Sequence, residues 1–275
     1  MSGERGWAVI LGASCGTGAA VARQLAVDPG LDIFGMHRGR HPELAQQVER
    51  DVRAAGRSLH YRIGDAGTAE GAEQGAEELL RVAGPRSVNL FLHSIANASV
   101  GQLTSGDEHQ LQPWQLQKTF ESMANSFVYW AQALLSRDLL APSARLLGLT
   151  NPFDEVVLRN TVAIGASKAA LGVYVRYLAQ ELGVLGHRVN LLRFGAVITP
   201  AVEKTFGAAK LEHVRGVFEQ AVPARRLCTV EEVARFVSVL AGEAGAWFNG
   251  ATIDFTGAEE QALLDLLIHR RSPAS

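Results

Sequence analysis

"WAVILGASCGTGAAVARQLAV", residues 7–27, passes from an unbroken apolar run through a glycine-rich turn into a helical pattern. The first part, "WAVILGA" (7–13), reads as a strand buried on both faces, because it does not alternate with polar residues. The last part, "TGAAVARQLAV", reads as a helix. The turn between them, "GASCGTG" (12–18), has the spacing G-x-x-x-G-x-G. Glycines there allow a tight turn and a close backbone approach to a pyrophosphate, which would rest on the positive N-terminus of the helix. Gly12, Ser14, Cys15, Gly16, Thr17 and Gly18 are therefore candidate dinucleotide-binding residues. A helix N-terminus can lower a thiol pKa, but Cys15 reads more simply as a small residue filling the turn.

The same alternation continues outward. Apolar strands are expected at 31–37, 58–64, 87–96, 144–150, 187–196 and 250–257. Between them lie "PELAQQVERDVRAAG", "TAEGAEQGAEELLRVAG", a long helix over 119–140, a helix carrying Lys168 to about Gly183, and a helical segment within 199–221. "TVEEVARFVSVLAG" begins with a threonine cap and an acidic first turn. "AEEQALLDLLIHRR" (258–271) has an amphipathic pattern that suits packing on its own domain or, as an alternative, an oligomer contact. Continuous apolar strands alternating with helices imply an α/β fold: a Rossmann-type doubly wound parallel sheet in a single domain over residues 1–275.

Composition fits that reading and narrows the partners. The chain has 275 residues, 47% of them hydrophobic, and a formal net charge of −2, which offers no electrostatic ground for nucleic acid or an anionic membrane surface. Its two cysteines, Cys15 and Cys228, make no disulfide framework, which suits a reducing compartment. No apolar run approaches the ~20 residues of a membrane span, and the N-terminal stretch lacks a long apolar core with a cleavage site. The expectation is a soluble cytoplasmic protein with no metal site.

The end of the second strand separates the two nicotinamide cofactors. An acid there bonds a ribose 2′-hydroxyl, whereas an arginine accommodates a 2′-phosphate. This chain has "MHRGRHP", with Arg38 and Arg40 beside His37 and His41 and no acid. Arg38, nearer the strand end, points to NADP(H).

Several motifs together resemble the short-chain dehydrogenase/reductase superfamily, and more narrowly its enoyl-acyl-carrier-protein reductase branch. They are "GASCGTG", "IGD" (63–65), "FLHSIANA" (91–98), "SFVYWAQA" (126–133), "GASKAALGVYVRYLAQELG" (165–183), "HRVNLLRFGAVITPA" (187–201) and "VPARRLCTVEEVARFVSVLAG" (222–242). The resemblance covers nearly the whole chain, and "HSIA" is its sharpest pointer to the enoyl branch. It implies that Asp65 and the adjoining backbone at Ala66 contact the adenine. His93, Ser94, Ile95 and Ala96 would line the adenosine-ribose and nicotinamide side, and Lys168 would bond the nicotinamide ribose. Gly195, Val197 and Thr199 would hold the carboxamide end, although the usual proline after the glycine is Ala196 here. About 199–221 would form a substrate lid, and the long helices would build a homodimer or homotetramer. Taken singly, Asp65 also reads as a cap and Lys168 as a solvated helix lysine.

The departure from the family lies before that lysine. The enoyl branch has a tyrosine seven residues earlier, where this chain has Thr161, and a second seventeen earlier, where it has Asn151. Other superfamily members have one four earlier, where Ile164 stands. A phenol reaches far and ionises near pH 10; a threonine hydroxyl is short and does not ionise. Three readings stay open. The first is an NADPH-dependent reductase of an activated double bond in an acyl or polyketide-like substrate, with an acyl carrier protein as a candidate to deliver it. In it Lys168 holds the ribose, and Thr161, then Asn151, supply the substrate hydrogen bond, with Thr150 and His93 as further donors. The second is a non-redox isomerase, dehydratase or cyclase on the same fold. The third is a catalytically silent cofactor-binding protein.

Overall fold

The computed structural model describes residues 6–200, 202–203 and 207–261. Its seven strands are β1 (Trp7–Leu11), β2 (Asp32–His37), β3 (Leu59–Ile63), β4 (Val88–His93), β5 (Leu140–Thr150), β6 (Arg188–Phe194) and β7 (Thr252–Phe255). All pair in parallel, in the order β3-β2-β1-β4-β5-β6-β7. The described helices are α1 (Gly16–Val27), α2 (Pro42–Ala54), α3 (Ala69–Ala83), α4 (Pro113–Phe120), α5 (Ser126–Ser136), α6 (Val162–Gly183), α7 (Ala208–Ala221) and α8 (Val230–Ala241). The part of the 258–271 pattern beyond residue 261 lies outside the described residues.

Strand geometry sends successive side chains to opposite faces, and each face of the sheet has its own core. Trp7, Val9 and Leu11 join Phe34, Met36, Phe91 and Leu191 on one face, with Trp130 of α5 and Leu171 of α6. Ala8 and Ile10 join Ile33, Leu90, Leu92 and Leu192 on the other, with Leu25 of α1 and Val237 of α8. This explains why the central strands β1 and β2 read as apolar runs: both of their faces are buried.

Two elements differ from the sequence pattern. The expected 119–140 helix starts earlier and ends earlier. Pro113 begins α4 behind a capping box made by Gln112 and Gln115, a five-residue π-helical turn (Glu121–Asn125) follows, and α5 stops at Ser136. Asp138 then takes a left-handed backbone (φ 50°), so "LLA" leaves the helix and extends β5 backward to Leu140. Within the π turn the Ser122 hydroxyl lies 2.9 Å from the carbonyls of both Lys118 and Asn97, which fastens the helix to the loop after β4. Periodicity could not show this, because helix and strand are both apolar here. At the other end, Thr229 caps α8 as expected, in a capping box with Glu232.

Candidate active site

The sheet order reverses between β1 and β4, and in such sheets ligands bind in the crevice outside the carboxyl ends of the strands. Here those two ends touch. The Ser94 amide donates to the Leu11 carbonyl at 3.2 Å. Gly12 has φ +85°, and a Cβ on it would lie 2.5 Å from the Ser94 carbonyl oxygen. A Cβ on Gly18 would lie 2.4 Å from the Gly12 carbonyl oxygen. Both glycines are thus required by backbone-to-backbone packing. Cys15 stands at the N-cap of α1, yet no side chain caps that helix and its first turn holds no acid. The leading amides, whose positive end of the dipole faces the crevice, are left for an anion. Burial pushes the Cys15 thiol up, with a smaller opposing pull from Ser14. Ser14 and Thr17 are buried in the turn.

Arg38 follows the last residue of β2 directly. Its guanidinium lies 3.9 Å from the Asp65 carboxylate, a loose contact. Burial lowers its pKa from the ordinary arginine value, and the Arg40 charge lowers it further, against an opposing pull from Asp65. Asp65 accepts the Gly67 amide at 2.9 Å, so one carboxylate oxygen closes the turn after β3, and the cap of α3 is Thr68. Trp130 donates its indole N–H to the Ala66 carbonyl at 3.0 Å, fixing that turn to α5.

Lys168 projects from α6 to the end of β5, where its ammonium donates to the Leu149 carbonyl at 2.7 Å. It is 4% exposed. Burial brings its pKa down to about 8, opposed by Asp154. No carboxylate pairs with it among the described residues. Asn151 follows β5 and caps the short 3-10 turn Pro152–Asp154, its Oδ1 accepting from the Phe153 amide at 3.2 Å. That donor dictates which way the amide faces, so the Asn151 NH2 points away from the turn. Thr161 sits at the N-cap of α6, buried, with its hydroxyl donating to the Leu158 carbonyl at 2.9 Å. Thr150 is also buried, and its hydroxyl gives a long 3.4 Å contact to the Asn151 carbonyl.

A family model described as Enoyl-(Acyl carrier protein) reductase matches residues 12–257. The chain belongs to this family of short-chain dehydrogenases/reductases. Among its relatives is the 1-cyclohexenylcarbonyl-CoA reductase of Streptomyces collinus, 26% identical over 90% of this chain and 85% of that protein. Another is the Enoyl-[acyl-carrier-protein] reductase [NADH] of Escherichia coli, 28% identical over 64% of this chain and 66% of that protein. The L-sorbose reductase of Gluconobacter frateurii, solved with NADPH and L-sorbose, has the same fold: TM-score 0.81, 20% identity, 93% of this chain and 97% of that one covered. The dehydrogenase/reductase of Sinorhizobium meliloti 1021 matches with TM-score 0.80 and 22% identity over 94% of this chain and 96% of that one. These four proteins are oxidoreductases.

Within this family fold, all four tyrosines of the chain lie away from Lys168. Tyr61 underlies the glycine turn, its hydroxyl on the Ala13 carbonyl at 3.2 Å. Tyr174 donates to Asn125 at 2.9 Å. Tyr129 and Tyr177 line a groove between α5 and α6, with Tyr174. His93 is turned into the core and wholly buried. Its Nε2 meets the Ser126 hydroxyl at 2.8 Å, and that hydroxyl gives its own proton to the Ser122 carbonyl at 2.8 Å, so Nε2 is the protonated nitrogen. Burial drives the His93 pKa down to about 3, assisted by the Lys168 charge. The ring is therefore neutral and packed in the core, with its Nδ1 unpartnered among the described residues.

The turn after β6 completes the crevice. Thr199 approaches Gly16, where an added Cβ would be 3.5 Å from its methyl carbon. The Val197 side chain is buried in the core with Val233 and Val237, which leaves its backbone for any ligand. Ser94 and Ile95 are half-buried and Ala96 is exposed at the mouth. Sequence reasoning missed one contributor: Glu259, after β7, is 4% exposed and accepts the Ala196 amide at 2.7 Å. The amphipathic pattern of its segment placed it on a polar face, and nothing local signals its burial.

The glycine cradle, the uncapped α1 terminus and the cationic β2 end together suit a phosphorylated dinucleotide. Among the described residues there is no cluster of His, Cys, Asp or Glu able to hold a metal, and no helix long and apolar enough to cross a membrane.

Proposed function

We propose that the chain is an NADPH-dependent reductase of an activated carbon–carbon double bond in an acyl or polyketide-like thioester. The observation that carries this reading is Lys168. A buried ammonium with no carboxylate partner is costly, and a fold has no structural reason to keep one at a strand end. Two of its three N–H groups remain beyond the Leu149 bond, as a ribose diol requires. Bound NADPH would supply the reducing equivalent. Arg38 would take the 2′-phosphate, with Asp65 and Ala66 at the adenine. Gly12 to Gly18 would hold the pyrophosphate, Ser94 to Ala96 the flanking wall, and Gly195, Val197 and Thr199 the carboxamide end. That the two named relatives act on unsaturated thioesters of coenzyme A or acyl carrier protein supports the substrate class.

Reduction of an unsaturated thioester builds negative charge on its carbonyl oxygen, and a donor aimed there stabilises it. Asn151 serves this role better than Thr161. Its Oδ1 is held by the Phe153 amide, so its NH2 is oriented and free to donate, whereas the Thr161 proton is already given to Leu158. Thr161 then helps by fixing the start of α6. An amide N–H is a weaker hydrogen-bond donor than a phenol and cannot deliver a proton, so the proton reaches carbon from water. Such a site suits alkenes already activated by further conjugation. The segment about 199–221, of which residues 201 and 204–206 lie outside the described residues, would act as the substrate lid, and a second copy of the chain packs on the α5–α6 groove bearing Tyr129, Tyr174 and Tyr177.

The test is to mix the protein with NADPH and a medium-chain 2-enoyl thioester and follow nicotinamide absorbance. Consumption that Lys168→Ala abolishes, and that Asn151→Ala lowers more than Thr161→Val, is expected. NADPH binding without consumption of this or a doubly conjugated thioester would favour a non-redox or silent role.

A further inference from the structure

Glu259 is a buried carboxyl group that the proposed chemistry does not use. It reaches back from just beyond β7 to the turn that follows β6, and its Oε2 accepts the Ala196 amide at 2.7 Å. The approach is close enough to dictate the neighbouring residue: a Cβ on Gly195 would lie 2.4 Å from that same oxygen and 3.0 Å from the Thr256 carbonyl oxygen. Gly195 is buried at ordinary backbone angles, so it is glycine for space and not for a left-handed conformation. The Ala196 N–H is also a particular feature of this chain, since a proline at 196 would have none to give. Donor, clearance and acceptor therefore form one three-residue contact between segments more than sixty positions apart.

We propose that Glu259 is a positioning residue: by accepting the Ala196 amide it sets the main-chain course of the Gly195–Thr199 turn, and thereby places that turn against the nicotinamide end of the cofactor. The inference rests on the cofactor reading given above. The side chain is 4% exposed and bonded to the Ala196 amide; burial pushes its pKa up, with the Ala196 bond opposing and Glu260 adding to the rise. The turn in turn touches the glycine cradle where Thr199 meets Gly16. Loosening Glu259 should thus disturb the nicotinamide end of the dinucleotide and spare the adenosine 2′-phosphate end, whose anchor, Arg38, follows β2.

The experiment compares two ligands on the intact protein: NADPH, and 2′,5′-ADP, which lacks the nicotinamide half. Affinities are read by calorimetry for wild type, Glu259→Ala, Glu259→Asp and Glu259→Gln, with thermal midpoints alongside. Loss of a hydrogen bond to a charged group predicts about a 10-fold weaker NADPH complex for Glu259→Ala. Glu259→Asp, one methylene too short to reach Ala196, should lose a similar factor, and Glu259→Gln, which keeps the reach and an acceptor oxygen, should return close to wild type. The 2′,5′-ADP affinity should be the same in all four. Equal weakening of both ligands, or unchanged NADPH binding in Glu259→Asp, would overturn the proposal. If Glu259→Ala does not fold, the Asp and Gln variants decide alone. Wild type that binds 2′,5′-ADP but gains nothing from the nicotinamide half also overturns it, while wild type that binds neither ligand removes the cofactor reading itself and this inference with it.

Discussion

The buried ammonium of Lys168 should be visible in the pH dependence of stability. Its pKa falls from 10.5 in an exposed chain to about 8 in the fold, mainly through burial. Between those two values the unfolded chain binds more protons than the folded one, so deprotonation favours folding and the Lys168 contribution rises with pH. The slope approaches 1.4 kcal/mol per pH unit well inside the window, and integration gives a gain of about 2 kcal/mol from pH 7 to pH 9.5. Lys168→Met has a similar shape and no titration, so it should lack this gain. The assay is urea denaturation of both proteins at several pH values, with the difference in unfolding free energy plotted against pH; other titrating groups cancel in that difference. Wild type should gain on Lys168→Met by about 2 kcal/mol over that interval. Parallel curves would refute the reasoning, because they would mean that the lysine titrates alike in both states and is not held charged in the interior. Saturating NADPH should flatten the wild-type rise, since bonds to the ribose hydroxyls favour the ammonium.

Other outcomes follow from the same geometry. Arg38→Asp should weaken NADPH by about 10-fold or more, through loss of a charge-assisted bond, and leave NADH nearly unchanged; equal loss of both, by fluorescence titration, would remove the selectivity argument. Gly18→Ala places a Cβ 2.4 Å from the Gly12 carbonyl oxygen, so the turn must shift, at a cost of about 1–3 kcal/mol in stability together with loss of NADPH binding; tight binding by this variant would contradict the cradle. Thr229→Ala removes the cap of α8 and should lower stability by about 1 kcal/mol without changing cofactor affinity, measured by denaturation and titration. Tyr177→Glu in the α5–α6 groove should shift the protein to a smaller species in gel filtration if a second copy packs there.

The strand–turn–helix order is written locally, and the seven parallel strands appear where apolar runs and glycine or proline boundaries placed them. The glycine turn was legible for the same reason: the contacts that demand Gly18 lie six residues away, at Gly12. Helix limits near 113–140 were not legible, because a π turn and a strand start depend on how Ser122 and Asp138 meet distant segments. The site divides in the same way. Arg38 and the residues of the glycine turn could be named from their neighbours in the chain, and Lys168 and the other turn residues only through the family resemblance; that Thr161 and Asn151 stand seven and seventeen residues before Lys168 is a plain fact of sequence. What each side chain does there is a tertiary matter. The Thr161 proton goes to Leu158, the Asn151 oxygen goes to Phe153, His93 turns into the core, and Glu259 crosses more than sixty residues to Ala196. A hydrogen bond has one direction and a burial state has one environment, and both are chosen by whichever groups packing brings close, not by those adjacent along the chain.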